Sequence, residues 1–392
     1  MNVLIVRLGA LGDIIHAIPA AAALRAAMPD ARIDWVVDAK HREILDLVSG
    51  IDRVVTLDAG TLSAWVDVVR RLRLVPYDVA LDFQGLLKSA VLARASGARR
   101  VYGFSIWHLR EKAARPFYTS SGSRPPSREA SADSGRPGGG DHPDGAEPHV
   151  IQKNLNLLTV IGVNASEVAF PLVPAPSAVL DHVKSIIGSG PVALLNPSAA
   201  WPNKRWPAER YGEVATFLRE IRGISSLVLW GPGEQDLARD VVRASSGAAL
   251  EAPATRIPDV LELSRAAALI VSGDTGPLHI AAATGTPTVA IFGPTDPGRN
   301  GPWSPDDVIV SRYQACGCHY ARRCQRASWC LADVSVAEVT AAIQQRLGRV
   351  RVMPQSSVRL QPDEGQLQTD AERQPNEASV HGPATRTNGG NV

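Results

Sequence analysis

The sequence predicts an α/β protein with two doubly wound parallel sheets facing each other across a cleft. Two series of short apolar runs, each alternating with helix-like stretches, carry that prediction. A third observation is that polar, glycine-bearing turns follow the runs, at Gly9-Ala10-Leu11-Gly12-Asp13 and at Gly273-Asp274-Thr275-Gly276-Pro277. Such turns at strand ends mark the usual ligand edge of an open α/β sheet.

In the first series, apolar runs at Val3–Leu8, Ile33–Val37, Val54–Leu57 and Val79–Phe83 read as buried strands. Helical patterns lie between or after them at Ala20–Met28, Arg42–Val48, Ser63–Leu74 and Leu86–Ala95. The second series has strands at Val192–Leu195, Leu227–Trp230, Leu269–Ser272 and Val289–Phe292, with helices at Arg210–Ile221, Asp236–Val242, Val260–Ala267 and Leu278–Ala283. Val336–Leu347 reads as a last helix. A chain of 392 residues can bury a core in each of two domains. The boundaries expected are 1–170 and 178–348, joined by the proline-punctuated linker Pro171–Ser177. Residues 120–148 and the tail 354–392 are rich in small and polar residues and poor in large apolar ones, so both are expected to be disordered.

A formal net charge of +2 gives no general nucleic-acid-binding character. The apolar run at the N-terminus has no cationic leader and is interrupted by Arg7 and Asp13, so it reads as neither a signal peptide nor a membrane span. No stretch of about 18 uninterrupted apolar residues occurs elsewhere. The expectation is a cytoplasmic protein, peripheral at most at the inner membrane, monomeric and without a cofactor.

Asp13 sits where a helix begins, and a carboxylate there would repel a pyrophosphate. It is either an N-cap or a general base aimed into the cleft, with His16 one turn later able to orient it. The turn at Asp274 is either an ordinary strand-to-helix connection or a diphosphate site. Pro277 suits a first helical turn, and free N–H groups at Thr275 and Gly276 would hold the anion. Asp274 would then face sugar hydroxyls, and Gly293-Pro294-Thr295-Asp296-Pro297 adds a second turn at the same edge. The loop Asn196–Pro207 offers the Ser198 hydroxyl and Lys204, a solvated lysine or a cation for a leaving diphosphate. Glu234 is an exposed acid or a partner for ribose hydroxyls.

Together these residues resemble glycosyltransferase family 9, the bacterial lipopolysaccharide heptosyltransferases, over residues 1–345 without the 120–148 segment. The resemblance is carried by Gly12–Ala20, Tyr77–Ala90, Asp274–His279 and Gly293–Pro297. Asp82-Phe83-Gln84-Gly85-Leu86-Leu87-Lys88-Ser89, with Asp34-Trp35-Val36-Val37 upstream, is most similar to the heptosyltransferase I branch. The resemblance implies a GT-B fold of two Rossmann-like domains and inverting, metal-independent transfer from ADP-heptose to the Kdo of Kdo-lipid A. It implies Asp13 as catalytic base and Lys204 as the phosphate-binding lysine. It also implies a donor site of Ser198, Glu234, Ile257 near adenine, Asp274, Thr275, Gly276 and His279. Gly12, Arg70 and Arg110 are the acceptor contacts it suggests.

Cys316, Cys318, Cys324 and Cys330 are the chain's four cysteines. With His319 alongside, they offer soft ligands for a structural metal or remain reduced thiols; the catalytic reading itself needs no metal. A related enzyme with another saccharide acceptor is the main alternative. A dinucleotide-dependent oxidoreductase lacks its Gly-x-Gly-x-x-Gly fingerprint here, and a nucleotide-sugar sensor would not need Asp13.

Overall fold

The computed structural model describes residues 1–349 except 59, 122–147, 166 and 325. The tail 354–392 and most of the 120–148 segment lie outside the described residues. Of that segment, Ser120–Ser121 pair as a short strand, contrary to the expectation of disorder from residue 120.

The first sheet is formed by β1 (Asn2–Val6), β2 (Arg32–Asp38), β3 (Arg53–Leu57), β4 (Val79–Asp82), β5 (Arg100–Gly103) and β6 (Ser120–Ser121). Its order is β3-β2-β1-β4-β5-β6, parallel throughout. The second sheet is formed by β7 (Val192–Asn196), β8 (Ser225–Val228), β9 (Ala249–Glu251), β10 (Leu269–Gly273), β11 (Thr288–Phe292) and β12 (Val308–Ser311). Its order is β12-β11-β10-β7-β8-β9, again parallel. The sequence pattern found the central strands. It missed β5, β6, β9 and β12, which lie at or near sheet margins and are short or polar.

Strand order decides where ligands can bind. In the first sheet the chain moves outward from β1 to β3 and then returns to place β4 beside β1. In the second, the same reversal falls between β7 and β10. Loops leaving such neighbouring strands diverge, which opens a crevice beyond their carboxyl ends. The crevices fall at Arg7–Asp13 with Phe83–Gly85, and at Ser198–Lys204 with Asp274–Gly276.

Val3, Leu4, Ile5 and Val6 of β1 are all fully buried, because helices cover both faces of the sheet. Gly223, with φ +64°, turns the chain out of the helix Ala208–Arg222, a conformation costly for any residue with a Cβ. Ser335 and Glu338 cap the final helix, Val336–Gly348, reciprocally.

The described residues of the two sheets and their helices pack together as one compact unit. One apolar cluster runs from β1 through the first lobe into Leu194, Val260, Leu261, Ile280 and Ala281 of the second. Two glycines make the closest crossing. A Cβ at Gly12 would lie 2.3 Å from His279 Cδ2, and one at Gly276 would lie 2.6 Å from Leu11 Cδ2. The starts of the helices Leu11–Ile15 and Gly276–Ala283 therefore interlock, each using a missing side chain of the other. Glu43 adds a polar tie. Its carboxylate accepts from Arg256 Nε at 2.9 Å and from the Ile257 N–H at 3.3 Å.

The two glycines are not equivalent, because Leu11 can change rotamer whereas the His279 ring is held by a hydrogen bond to Asp274. Gly12→Ala should lower stability by about 1–3 kcal/mol in urea unfolding, and Gly276→Ala by clearly less. Equal losses, or a larger loss at Gly276, would contradict the interlock.

Candidate functional site

The first edge is built around Arg7 and Asp13. Arg7 directly follows β1 and is 3% exposed; its guanidinium donates to the Phe83 carbonyl and pairs with Asp13 Oδ2 at 2.7 Å. Asp13 is the third residue of the helix Leu11–Ile15 and not its N-cap, which is Ala10. Its Oδ2 also accepts from the Ala10 N–H at 3.3 Å and faces Arg110 Nη2 at 3.7 Å. All three contacts fall on one oxygen. Oδ1 has no hydrogen bond among the described residues and stays available to a proton donor. Burial alone would push this carboxyl up, but Arg7, Arg110 and Arg299 together hold it below the ordinary carboxylate range. It is ionised at neutral pH.

The segment Asp82–Ser89 holds this edge in place. Asp82, buried at the end of β4, accepts from the Gln84 N–H, Ser89 Oγ and Tyr118 hydroxyl, each at 2.8 Å. Gly103 lets the Tyr118 ring cross the strand, since a Cβ there would come within 2.3 Å of it. Gln84 Oε1 takes the Leu8 N–H at 2.8 Å, fixing the turn that leads to Asp13. Asp34 is likewise structural: fully buried, it accepts from Arg32, Arg53 and Tyr77.

At the second edge, Lys204 Nζ donates to Asp274 Oδ2 at 2.6 Å and lies 4.5 Å from the Trp201 ring centroid. Thr295 Oγ1 donates to the same oxygen at 2.8 Å, and His279 Nε2 meets Oδ1 at 3.1 Å. Burial would raise the Asp274 carboxyl, yet His279 and Lys204 hold it far below the usual carboxylate range. Both its oxygens are thus engaged within the protein, where the sequence had suggested it faced sugar hydroxyls. Thr275 is the N-cap of Gly276–Ala283, but no side chain caps that helix. Its hydroxyl is bonded to Asn196 Nδ2 at 2.8 Å and Ser272 Oγ at 3.1 Å. Among the described residues no side chain takes the first N–H groups of this helix. Ser198, two residues past β7, is buried, and its Oγ has no hydrogen-bond partner among the described residues.

The lobes meet through three histidines. His16 lies 4.5 Å from His279 and 5.5 Å from His149, ring centroid to centroid. His149 Nε2 bonds the Gly301 carbonyl at 2.9 Å, and Asn154 Nδ2 donates to the His16 carbonyl at 2.9 Å. Burial and the neighbouring histidines push His16 well below its ordinary pKa, so it is neutral. It packs the lobe boundary and does not orient Asp13 as its spacing had suggested; Arg7 does that.

Arg110 reaches the Asp13 edge, but Arg70 does not. Arg70 lies in the last turn of the helix Leu62–Arg73 and pairs with Asp67 at 3.4 Å on an exposed surface. Glu234 pairs with Arg205 at 3.4 Å. Ile257 begins a helix whose first N–H meets Glu43. All four cysteines are free thiols, with Cys318 Sγ 3.5 Å from both Cys316 and Cys324. Among the described residues no group of three or more His, Cys, Asp or Glu side chains is arranged to hold a metal ion. Arg7, Arg299 and Asn196 are the site residues that the sequence reading missed. An arginine at the end of an otherwise apolar strand was the available signal for the first.

Two facing parallel sheets with a polar site at their carboxyl edges define a GT-B glycosyltransferase architecture. The model of glycosyltransferase family 9 (heptosyltransferase) matches residues 65–130 and 141–329, and the chain belongs to this family. Lipopolysaccharide heptosyltransferase 1 of Pseudomonas aeruginosa is 28% identical over 336 residues, covering 81% of this chain and 85% of the relative. The structure of E. coli heptosyltransferase WaaC with ADP superposes with a TM-score of 0.65 at 21% identity, covering 89% of this chain and 98% of that one. E. coli ADP-heptose lipopolysaccharide heptosyltransferase II gives 0.67 at 19%, covering 88% and 98%. These two likenesses establish the shared fold.

Arg7→Met leaves burial to act on Asp13 with less opposition, so its carboxyl titration, followed by NMR, should move to higher pH. Arg7→Lys should fall between that variant and wild type. A titration unchanged in both would show that Arg7 does not set the charge of Asp13.

Proposed function

We propose that the protein moves heptose from ADP-heptose to the Kdo of Kdo-lipid A, with inversion at the anomeric carbon. One observation supports this reading most. A carboxylate with one oxygen free of hydrogen bonds among the described residues and an uncapped helix start lie on opposite lobes, where their helices cross closely at Gly12–His279 and Gly276–Leu11.

In this mechanism the donor diphosphate lies at the N–H groups of Gly276–Ala283, where the helix dipole favours negative charge. Lys204 keeps two of its three donor positions beyond Asp274 and stabilises the charge that grows on departing ADP. Asp274 is then a positioning residue for Lys204 and His279. Ser198, Thr275 and Gly276 line the phosphate side; Glu234 and Ile257 complete the nucleoside side. The acceptor hydroxyl enters from the first lobe. Asp13 Oδ1 takes its proton as the new glycosidic bond forms and the bond to ADP breaks.

A low-pKa carboxylate is a weak base, but it is fully ionised at neutral pH. It need only accept a proton that the attacking oxygen is already losing. Arg110, beside Asp13, is placed to meet the acceptor carboxylate; Arg70 is withdrawn from that role. The proposed location is the inner face of the cytoplasmic membrane, with the protein acting as a monomer. Among the described residues no helix is long and apolar enough to cross a membrane.

Mass spectrometry of the products from purified protein, ADP-heptose and Kdo-lipid A tests this reading. Asp13→Asn should lower kcat by ~10²–10⁴-fold with donor Kd nearly unchanged, whereas Lys204→Ala should chiefly weaken the donor. No product from wild type, or wild-type turnover in Asp13→Asn, would refute the assignment.

A further inference from the structure

We propose that Cys318 and Cys324 are a reversible dithiol–disulfide pair, and that their oxidation by hydrogen peroxide fixes the loop supporting Lys204 and Thr295. The pair stands on its own geometry; only its effect on the donor rests on the proposed function.

The loop after β12 carries all four cysteines, and their surroundings divide them. Cys316 and Cys330 are 5% and 1% exposed, and burial pushes both thiols up, so they stay protonated. Cys318 and Cys324 are partly exposed, with their sulfurs 3.5 Å apart. Cys324 follows Arg322 and Arg323 and precedes Arg326, all three exposed. The Arg326 N–H and its charge hold the Cys324 thiol below its usual range, whereas burial and the neighbouring sulfurs push Cys318 up to about 12. A readily ionised cysteine in a cationic setting, beside a protonated one, gives an attacking and a resolving thiol.

In the first step the Cys324 thiolate takes one oxygen of hydrogen peroxide and becomes a sulfenic acid, while the other oxygen leaves as hydroxide and is protonated to water. Cys318 then bonds to that sulfur, displacing the oxygen as a second water and losing its own proton. The two sulfurs give up two electrons and the peroxide gains them. An added dithiol reverses the bond by exchange.

The ring closed in this way runs from Cys318 to Cys324 and contains the two residues that brace the donor edge. The Tyr320 N–H donates to the Pro294 carbonyl at 2.9 Å, next to Thr295, and the Ala321 carbonyl accepts from Asn203 Nδ2 at 2.9 Å, next to Lys204. Lys204 and Thr295 both donate to Asp274 Oδ2. The loop is also tied at Trp329, whose Nε1 donates to the Arg205 carbonyl at 2.7 Å. To bond, the sulfurs approach by about 1.5 Å, a movement small enough to keep both braces. Closure removes conformational freedom from the loop, so Lys204 and Thr295 are held on Asp274 more persistently.

Tryptic mapping of the full-length protein after brief peroxide treatment, without reductant, tests the pair. Cleavage at Arg322 and Arg323 separates the two cysteines, so their bond should join two peptides; fragmentation should place it on Cys318, and dithiothreitol should release it. No joined peptide, a bond through Cys316, or one zinc or iron ion held per chain by the purified protein would overturn the proposal. Hydrogen exchange without ligand tests the consequence. Peptides covering 201–205 and 293–297 should exchange at least about threefold more slowly after oxidation of wild type, and Cys318→Ser or Cys324→Ser should abolish the difference. Unchanged or faster exchange in wild type would overturn the proposal. ADP should bind oxidised wild type at least about threefold more tightly than reduced, and equal or weaker binding would count against it in the same way. Slowed exchange with no ADP binding by either form would refute the proposed function alone.

Discussion

The approach of two helix starts, one from each sheet, is the constraint on which the rest of the structure depends. Gly12 admits the His279 ring and Gly276 admits Leu11, so the lobes touch through the turns that carry their chemistry. Had these residues carried side chains, Asp13 and the start of Gly276–Ala283 would be held apart by the bulk of their own helices. Polar contacts complete each edge. On the first lobe, Asp13 gives one oxygen to Arg7, Arg110 and Ala10 and keeps the other. On the second, Lys204 is fixed by Asp274, whose remaining oxygen fixes His279, the ring that Gly12 accommodates.

Charge around Asp13 has two purposes that pull in opposite directions. Burial disfavours a carboxylate and would push Asp13 up if it stood alone. Arg7 and its neighbouring cations keep it charged, at the cost of intrinsic basicity. Such a compromise suits a reaction in which the leaving group departs early and the acceptor oxygen becomes acidic as it bonds. The same cations give the Asp13 edge a positive field.

Much of the fold was legible in the sequence, because the central strands are continuous apolar runs buried on both faces and the turns between them carry glycine and proline. The marginal strands were not. Ser120–Ser121 and Ala249–Glu251 are too short and polar to show a period, and they pair only because a finished edge stands beside them. The site was legible in part: Asp13, Lys204 and the Asp274–His279 turn stand out as polar groups at strand ends. Their partners were not, since Arg7 is brought to Asp13 by a turn that Gln84 fixes from 76 residues away. Arg70 misled for the opposite reason. A basic helix surface looks the same in sequence whether it faces a ligand or water.

A crystal structure of the protein with ADP and an acceptor sugar tests the central claim most directly. The account places the diphosphate on the first N–H groups of Gly276–Ala283 with Lys204 beside it. It also places the acceptor hydroxyl about 2.6–3.2 Å from Asp13 Oδ1 while Oδ2 stays on Arg7. A diphosphate bound elsewhere, or an acceptor hydroxyl met by another carboxylate, would contradict it.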